Sequence, residues 1–213
     1  MIEIKIFPMN PFQMNTYLIY DETQEAIIID PGNSTYDEDE RIKNYLNHKN
    51  LTIRGVYYTH CHIDHIPGNK FLFETYGIRP AYHKAGQVFL DTAESSAYNF
   101  GIRFKGNIEP DRYLEDGDMI KFGRQSFDVL YTPGHADGSI CFYNKEQKIV
   151  IVGDVLFNGS IGRTDLPTGS FSNLEKSIRE KLYVLPDDTV VYSGHGNSTT
   201  IGHEKKTNPF FKA

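Results

Sequence analysis

Seven residues, Thr59-His60-Cys61-His62-Ile63-Asp64-His65, constrain this chain more than any other stretch. They set three imidazoles and a carboxylate at the mouth of an apolar run. His60 and His62 stand at i and i+2, so both point the same way from an extended backbone, while the adjacent Asp64-His65 pair can turn towards a second point. That layout suits two metal ions. The bland alternative is a polar surface turn, and the crowding of three of the chain's eight histidines into six positions argues against it. One loop cannot complete two coordination spheres, so further ligands must arrive from later strand ends.

Three candidates sit where a strand gives way to a glycine turn. His135 follows Pro133-Gly134 after the apolar run 127–131, and that turn aims a side chain off the sheet edge. Asp154 closes the aliphatic run 149–152 with Gly153 just before it, and a carboxylate bridges two cations more readily than an imidazole does. His195 lies between Gly194 and Gly196, which let the backbone come close to the centre. Five of the eight histidines then occupy strand-end loops, and only His48, His83 and His203 lack a place.

The rest of the chain supplies strands and covering helices. Residues 2–7 and 15–20 read as a hairpin joined by Pro8-Met9-Asn10-Pro11. Residues 26–30, closed by Pro31-Gly32, form a continuous aliphatic run of the kind buried on both faces. Ile42, Tyr45 and Leu46 predict an amphipathic helix over 37–48, and the strand 53–58 then delivers His60 at its carboxyl end. Short helices are expected over 69–76 and 84–98, with a strand over 80–82 between them. From Tyr113 the texture turns to short strands of a second sheet, including 127–131, 139–143 and 148–152. A helix follows over 172–185, opened by a Ser172/Glu175 capping box and stopped by Pro186, and 190–192 reads as the last strand. The expected fold is α/β, a four-layer αβ/βα sandwich of two mixed β-sheets flanked by helices, forming one domain over 1–213 with its site along one edge.

Composition narrows the class further. A formal net charge of −6 argues against a nucleic-acid binder, which would want a basic face. No apolar run reaches membrane-spanning length and the start lacks a signal-peptide core, so a soluble, cytoplasmic protein is expected. Two cysteines, Cys61 and Cys141, are no disulfide framework; both read as free thiols, one packed behind the ligand loop and one in a strand. Nothing in the sequence indicates an oligomeric state.

The ordered set T-H-x-H-x-D-H, P-G-H, G-D and G-H-G resembles the metallo-β-lactamase superfamily. The strings Gly153-Asp154-Val155-Leu156-Phe157, Gly159-Ser160-Ile161-Gly162-Arg163-Thr164-Asp165-Leu166-Pro167 and Thr199-Thr200-Ile201-Gly202-His203-Glu204 are similar to its glyoxalase II-like branch, in the compact bacterial form. The resemblance implies that His60, His62 and His135 bind one metal, that Asp64, His65 and His195 bind a second, and that Asp154 bridges both. Two divalent ions are implied, zinc first, with iron or manganese as alternatives. Two-domain glyoxalase II enzymes add a helical domain that helps to hold glutathione, whereas eighteen residues follow His195, so no such domain is expected here.

Two ions close together would lower the pKa of a bridging water from 15.7 to about 7, which makes hydroxide the expected nucleophile. Asp64 is the expected catalytic residue, a ligand that also accepts a hydrogen bond from the attacking group. A departing thiolate, with a pKa of about 8.5, needs little protonation, so thioester hydrolysis is favoured over amide or lactam opening. The expected partner is a small-molecule thioester of the 2-hydroxyacyl-glutathione kind. Arg163, Lys205 and Lys206 are candidate substrate contacts, although Arg163 and Asp165 can equally hold one another and the two lysines can belong to a solvated terminus. Tyr98, Phe100 and Phe104 either line a pocket or pack a helix. The competing readings are an oxidoreductase resembling the persulfide dioxygenases, with one iron on two histidines and an aspartate, and a non-catalytic metal-binding scaffold.

Overall fold

The computed structural model describes residues 1–212. The aliphatic run ending at Asp30 forms β3 (Glu25–Ile29), and its alternate side chains part company. Ile27 and Ile29 face one core while Ala26 and Ile28 face another, as period-two geometry requires of a strand covered on both sides. β3 lies third in a six-stranded sheet with β1 (Glu3–Met9), β2 (Met14–Tyr20), β4 (Thr52–Tyr57), β5 (Pro80–Tyr82) and β6 (Arg112–Tyr113), in the order β1-β2-β3-β4-β5-β6. β1 to β3 are antiparallel neighbours and β3 to β6 parallel ones, so the sheet is mixed.

The second sheet holds β7 (Met119–Phe122), β8 (Gln125–Tyr131), β9 (Ile140–Asn144), β10 (Ile149–Gly153), β13 (Val190–Ser193) and β14 (Thr199–Thr200). Its spatial order is β14-β13-β10-β9-β8-β7, and a separate ribbon joins β11 (Leu156–Phe157) to β12 (Ser160–Ile161). Three apolar layers separate four structural ones. Tyr17, Ile19 and Ile29 of the first sheet meet Phe127, Phe142 and Ile151 of the second in the central layer. The outer face of the first sheet buries Leu18, Ile28 and Val56 against α1 (Tyr36–Lys49), α2 (Asn69–Tyr76), α3 (Gln87–Leu90) and α4 (Ala93–Phe100). The outer face of the second buries Cys141, Val150 and Val152 against α5 (Phe171–Ser177) and α6 (Ile201–Thr207). This is the expected αβ/βα sandwich. Among the described residues, no helix is long and apolar enough to cross a membrane.

The local expectations fail at five points. Residues 84–98 do not make one helix: a 3-10 turn over Lys84–Gly86 leads into α3, and Thr92 breaks the path to α4 by turning its hydroxyl back to the Val88 and Phe89 carbonyls. The cap of α5 is Ser170, which is extended and accepts from the Asn173 amide, so Ser172 lies inside the helix and Glu175 pairs with Arg179. Beyond α5 the chain widens into a π turn over Ile178–Leu182. Tyr113 belongs to β6 of the first sheet, and β13 is followed by β14 and α6, so 190–192 is not the last strand.

Directionality gathers the site. β3 and β4 run parallel, and so do β10 and β13; β8 is antiparallel to β9, which is antiparallel to β10, so β8, β10 and β13 point the same way. The loops after these strands carry every candidate ligand. Hydrogen bonds across the top lock the sheets together there, from the Asn15 amide to the Gly194 carbonyl at 2.7 Å and from the Ile140 amide to the Thr59 carbonyl at 2.8 Å.

Candidate metal centre

His60 and His62 leave the end of β4 in extended backbone, and a single 3-10 turn over Ile63–His65 then swings Asp64 and His65 to the other side. The change of period within six residues serves two points in space. Gly153 turns at φ +52° to hand Asp154 off the end of β10, a conformation that suits glycine. Gly194 acts by its missing side chain, because a Cβ there would collide with the Asp154 carboxylate and stand 2.8 Å from the His65 ring.

The seven candidate ligands converge. His62 Nδ1 lies 3.1 Å from His60 Nε2 and 3.0 Å from His135 Nε2, which places three ring nitrogens around one point. On the other side His195 Nε2 is 3.2 Å from Asp64 Oδ2, and His65 Nε2 is 3.7 Å from the same oxygen. Asp154 stands between the groups, with Oδ1 3.5 Å from His65 Nε2 and Oδ2 3.7 Å from His135 Nε2 and 3.6 Å from His195 Nε2. Within each of the sets His60-His62-His135, His60-His65-Asp154 and Asp64-His65-His195, the donor atoms lie within 4.8 Å of one another.

The donor atoms fit cations. His65 Nε2 and Asp154 Oδ1 are buried without a hydrogen-bond partner, an arrangement that is costly for a protein unless something else satisfies both atoms. The outer nitrogens, by contrast, are occupied. His65 Nδ1 faces Asp30 Oδ2 at 3.0 Å, His135 Nδ1 donates to the Arg163 carbonyl at 2.9 Å, and His195 Nδ1 donates to the Phe12 carbonyl at 3.2 Å. Outer acceptors of this kind set the ring orientation and leave the inner lone pair free for a metal.

Electrostatics divide the cluster. Burial lowers His60, His62 and His135 below the ordinary imidazole range, helped for His60 and His62 by the neighbouring rings, and His62 falls to about 4. Neutral imidazoles are what a metal requires. For His65 burial pulls the same way, but Asp64, Asp30 and Asp154 outweigh it and raise the group well above its usual value. His195 is raised likewise, burial being overcome by its bond to Asp64 and by the charge of Asp154. Both carboxyls sit below their usual range; burial opposes ionisation, and the facing histidines overcome it.

Asp30 is the site residue that sequence reading passed over. It is fully buried at φ +53° and accepts from the Thr59 amide and hydroxyl, each at 2.7 Å, as well as meeting His65. The signal in the sequence is an aliphatic strand ended by a carboxylate and Pro31-Gly32. Cys61 is buried with its Sγ where a Cβ on Gly86 would stand, and Cys141 lies in β9 within the outer core.

A cavity of about 220 Å³ opens beside the ligands. Asp64, His62 and Asp154 form its floor, and Phe12, Phe89 and Phe100 supply apolar walls, with Phe12 and Phe100 edge to face at 5.6 Å. Tyr98 is instead exposed and Phe104 packs against the outer core. Arg163 reaches the mouth of the cavity, where its guanidinium makes a two-pronged pair with Asp165 at 2.8 Å. Lys205 lies elsewhere, bound to Asp187 at 2.6 Å, and Lys206 is exposed next to it; neither borders this cavity.

The layered fold and a histidine-rich centre at the carboxyl ends of the strands define a class, and residues 9–195 match it: the chain belongs to the metallo-beta-lactamase superfamily, a group of metal-dependent hydrolases. Among its relatives is hydroxyacylglutathione hydrolase GloC of Haemophilus influenzae, 37% identical over 214 residues that cover 100% of this chain and 99% of that protein. Two solved structures share the fold closely. The BLEG-1 B3 metallo-beta-lactamase superposes with a TM-score of 0.90 at 36% identity, covering 99% of this chain and 100% of that one. The di-iron-bound form of TTHA1623 gives 0.87 at 35% identity, covering 97% and 100%.

Proposed function

We propose that this protein is a dinuclear metal-dependent thioesterase acting on a small 2-hydroxyacyl thioester of the glutathione kind, with residues 1–213 as one catalytic domain. The observation that carries the reading is the placement of Asp154 between two ligand groups, with each oxygen turned to different histidines. In this reading His60, His62 and His135 hold one ion, Asp64, His65 and His195 hold the other, and Asp154 serves both. Zinc is the first expectation, and the di-iron form of TTHA1623 keeps iron in view. When bound, such ions polarise a carbonyl and lower the pKa of water from 15.7 to about 7.

The chain's own residues supply position and orientation. Asp64 both borders the cavity and faces His195, so its carboxylate can accept a hydrogen bond from the attacking water and aim a lone pair at the carbonyl carbon. Phe12, Phe89 and Phe100 cover the acyl group and keep bulk water away from it. The bond from His135 to the Arg163 carbonyl ties the Gly162-Arg163 loop to the centre, and this places a cationic side chain at the mouth for an anionic substrate. Neither Lys nor Tyr lines the cavity among the described residues. A leaving group that must be protonated is therefore poorly served, whereas a thiolate with a pKa of about 8.5 departs unaided. The relationship to GloC points to the same bond.

The deciding experiment pairs elemental analysis of purified protein with product assays on S-lactoylglutathione, a coenzyme A thioester, a β-lactam and glutathione persulfide. Two metals per chain with thiol release from S-lactoylglutathione are expected. A single iron with oxygen uptake on the persulfide would transfer the protein to the oxidoreductase reading, and β-lactam opening without thiol release would refute the choice of bond.

A further inference from the structure

β4, β5 and β6 run parallel towards the metal cluster, and the second half of β4, with the segments that lead into β5 and β6, borders a second cavity of about 430 Å³. It shares no lining residue with the first. In a chain of net charge −6, three arginines border it, Arg54, Arg79 and Arg112, against one carboxylate, Asp111. Arg54 is neutralised by Glu25 at 2.7 Å. Arg79 and Arg112 have no carboxylate partner among the described residues; each spends one N–H on a distant carbonyl, Glu109 at 3.4 Å and Met119 at 3.3 Å, and keeps the rest of its donor fork.

Tyr57 supplies the second observation. The residue is only 8% exposed, it borders this cavity, and its hydroxyl makes no hydrogen bond to any described residue. Its ring folds back along its own strand over Gly55, where a Cβ would stand 2.5 Å from the hydroxyl oxygen. Glycine inside a central strand weakens the strand and marks a close approach. Here the close approach is what carries a phenol to the cavity instead of leaving it wholly between the sheets. The hydroxyl stands beside the cavity-lining Gly55 with no partner among the described residues, so a bound acceptor can take its hydrogen bond.

We propose that this cavity is a binding site for a phosphorylated small molecule, its phosphate held by the Arg79 and Arg112 forks and by the Tyr57 hydroxyl. A guanidinium pairs with phosphate through two parallel N–H bonds. A tetrahedral phosphate offers oxygens in several directions to donors on different walls, whereas a lone carboxylate offers two oxygens in one plane. The volume far exceeds a phosphate and leaves room for an attached organic group. The site stands whether or not the metal centre cleaves thioesters.

Calorimetric titration of the metal-loaded protein with inorganic phosphate, pyrophosphate and glucose 6-phosphate tests this, with citrate as the carboxylate control. Saturable binding of the phosphates is expected, weakened roughly tenfold in Tyr57→Phe, which removes one hydrogen bond to a charged group and keeps the ring. Arg79→Ala/Arg112→Ala should abolish it, raised salt should weaken it, and Arg163→Ala should leave it unchanged. Absence of saturable binding overturns the proposal, and so does binding by citrate alone. Binding that survives both Tyr57→Phe and the double arginine variant would place the anion at the metal centre and overturn it as well.

Discussion

Asp154 faces both halves of the cluster, Oδ1 towards His65 and Oδ2 towards His135 and His195, so its loss should be felt by both. Asp154→Ala is expected to lose both metals together, whereas His195→Ala mainly weakens the half it shares with Asp64 and His65; metal-to-protein ratios after gel filtration check this. Asp30 acts at one remove. Asp30→Asn keeps the shape but removes the charge that holds His65 Nδ1, and a metal affinity lower by roughly 10- to 100-fold is expected by chelator competition. Acidification should also part the two halves. His65 and His195 are raised above their usual range by the carboxylates that overcome their burial, so protons compete there at the higher pH. His60, His62 and His135 are lowered by burial, His62 to about 4, and remain neutral further down. As pH falls, the Asp64-His65-His195 half should release its ion first; a single concerted release, followed with a metal-sensitive dye, would contradict the division.

At the scale of elements, spacing described the regular pieces well and their ends poorly. The Thr35/Glu38 capping box of α1 is complete, with the Thr35 hydroxyl accepting from the Glu38 amide at 3.2 Å and the Glu38 carboxylate from the Thr35 amide at 3.1 Å. For α5 the same pattern at Ser172 and Glu175 misleads, since Ser170 starts the helix where its amide reaches the Gly134 carbonyl beside the site. Ser170→Ala should therefore cost about 1 kcal/mol in denaturant unfolding, and Ser172→Ala far less. The break between α3 and α4 has a comparable origin. Thr92 turns its hydroxyl back to the Val88 and Phe89 carbonyls, and Leu90 and Ala93 on either side of it both enter the core under the first sheet.

For the whole molecule, the central layer is what sets one row of loops against the other. Phe142 of β9 lies in it fully buried, against Tyr57 at 5.9 Å. Phe142→Ala should destabilise the fold by about 3–5 kcal/mol, read as a shift in the denaturant midpoint, because truncation leaves a cavity between two rigid sheets. The same rigidity holds the seven candidate ligands in register from strands far apart in the chain.

The ligand string, the three glycine-flanked strand ends and the continuous aliphatic run 26–30 were enough by themselves to point to a layered α/β fold with a histidine-rich candidate metal site at one edge. These features are local: a strand's period, a turn's glycine and a donor atom are properties of neighbouring residues. Tertiary structure alone decided that Asp30 supports His65, that Phe12 and not Tyr98 joins Phe100 over the cavity, and that Lys205 answers Asp187 far from the ligands. Each is a contact between segments distant in sequence. Which of many equally plausible partners a side chain meets depends on how two sheets settle against each other, and no spacing along one chain encodes that.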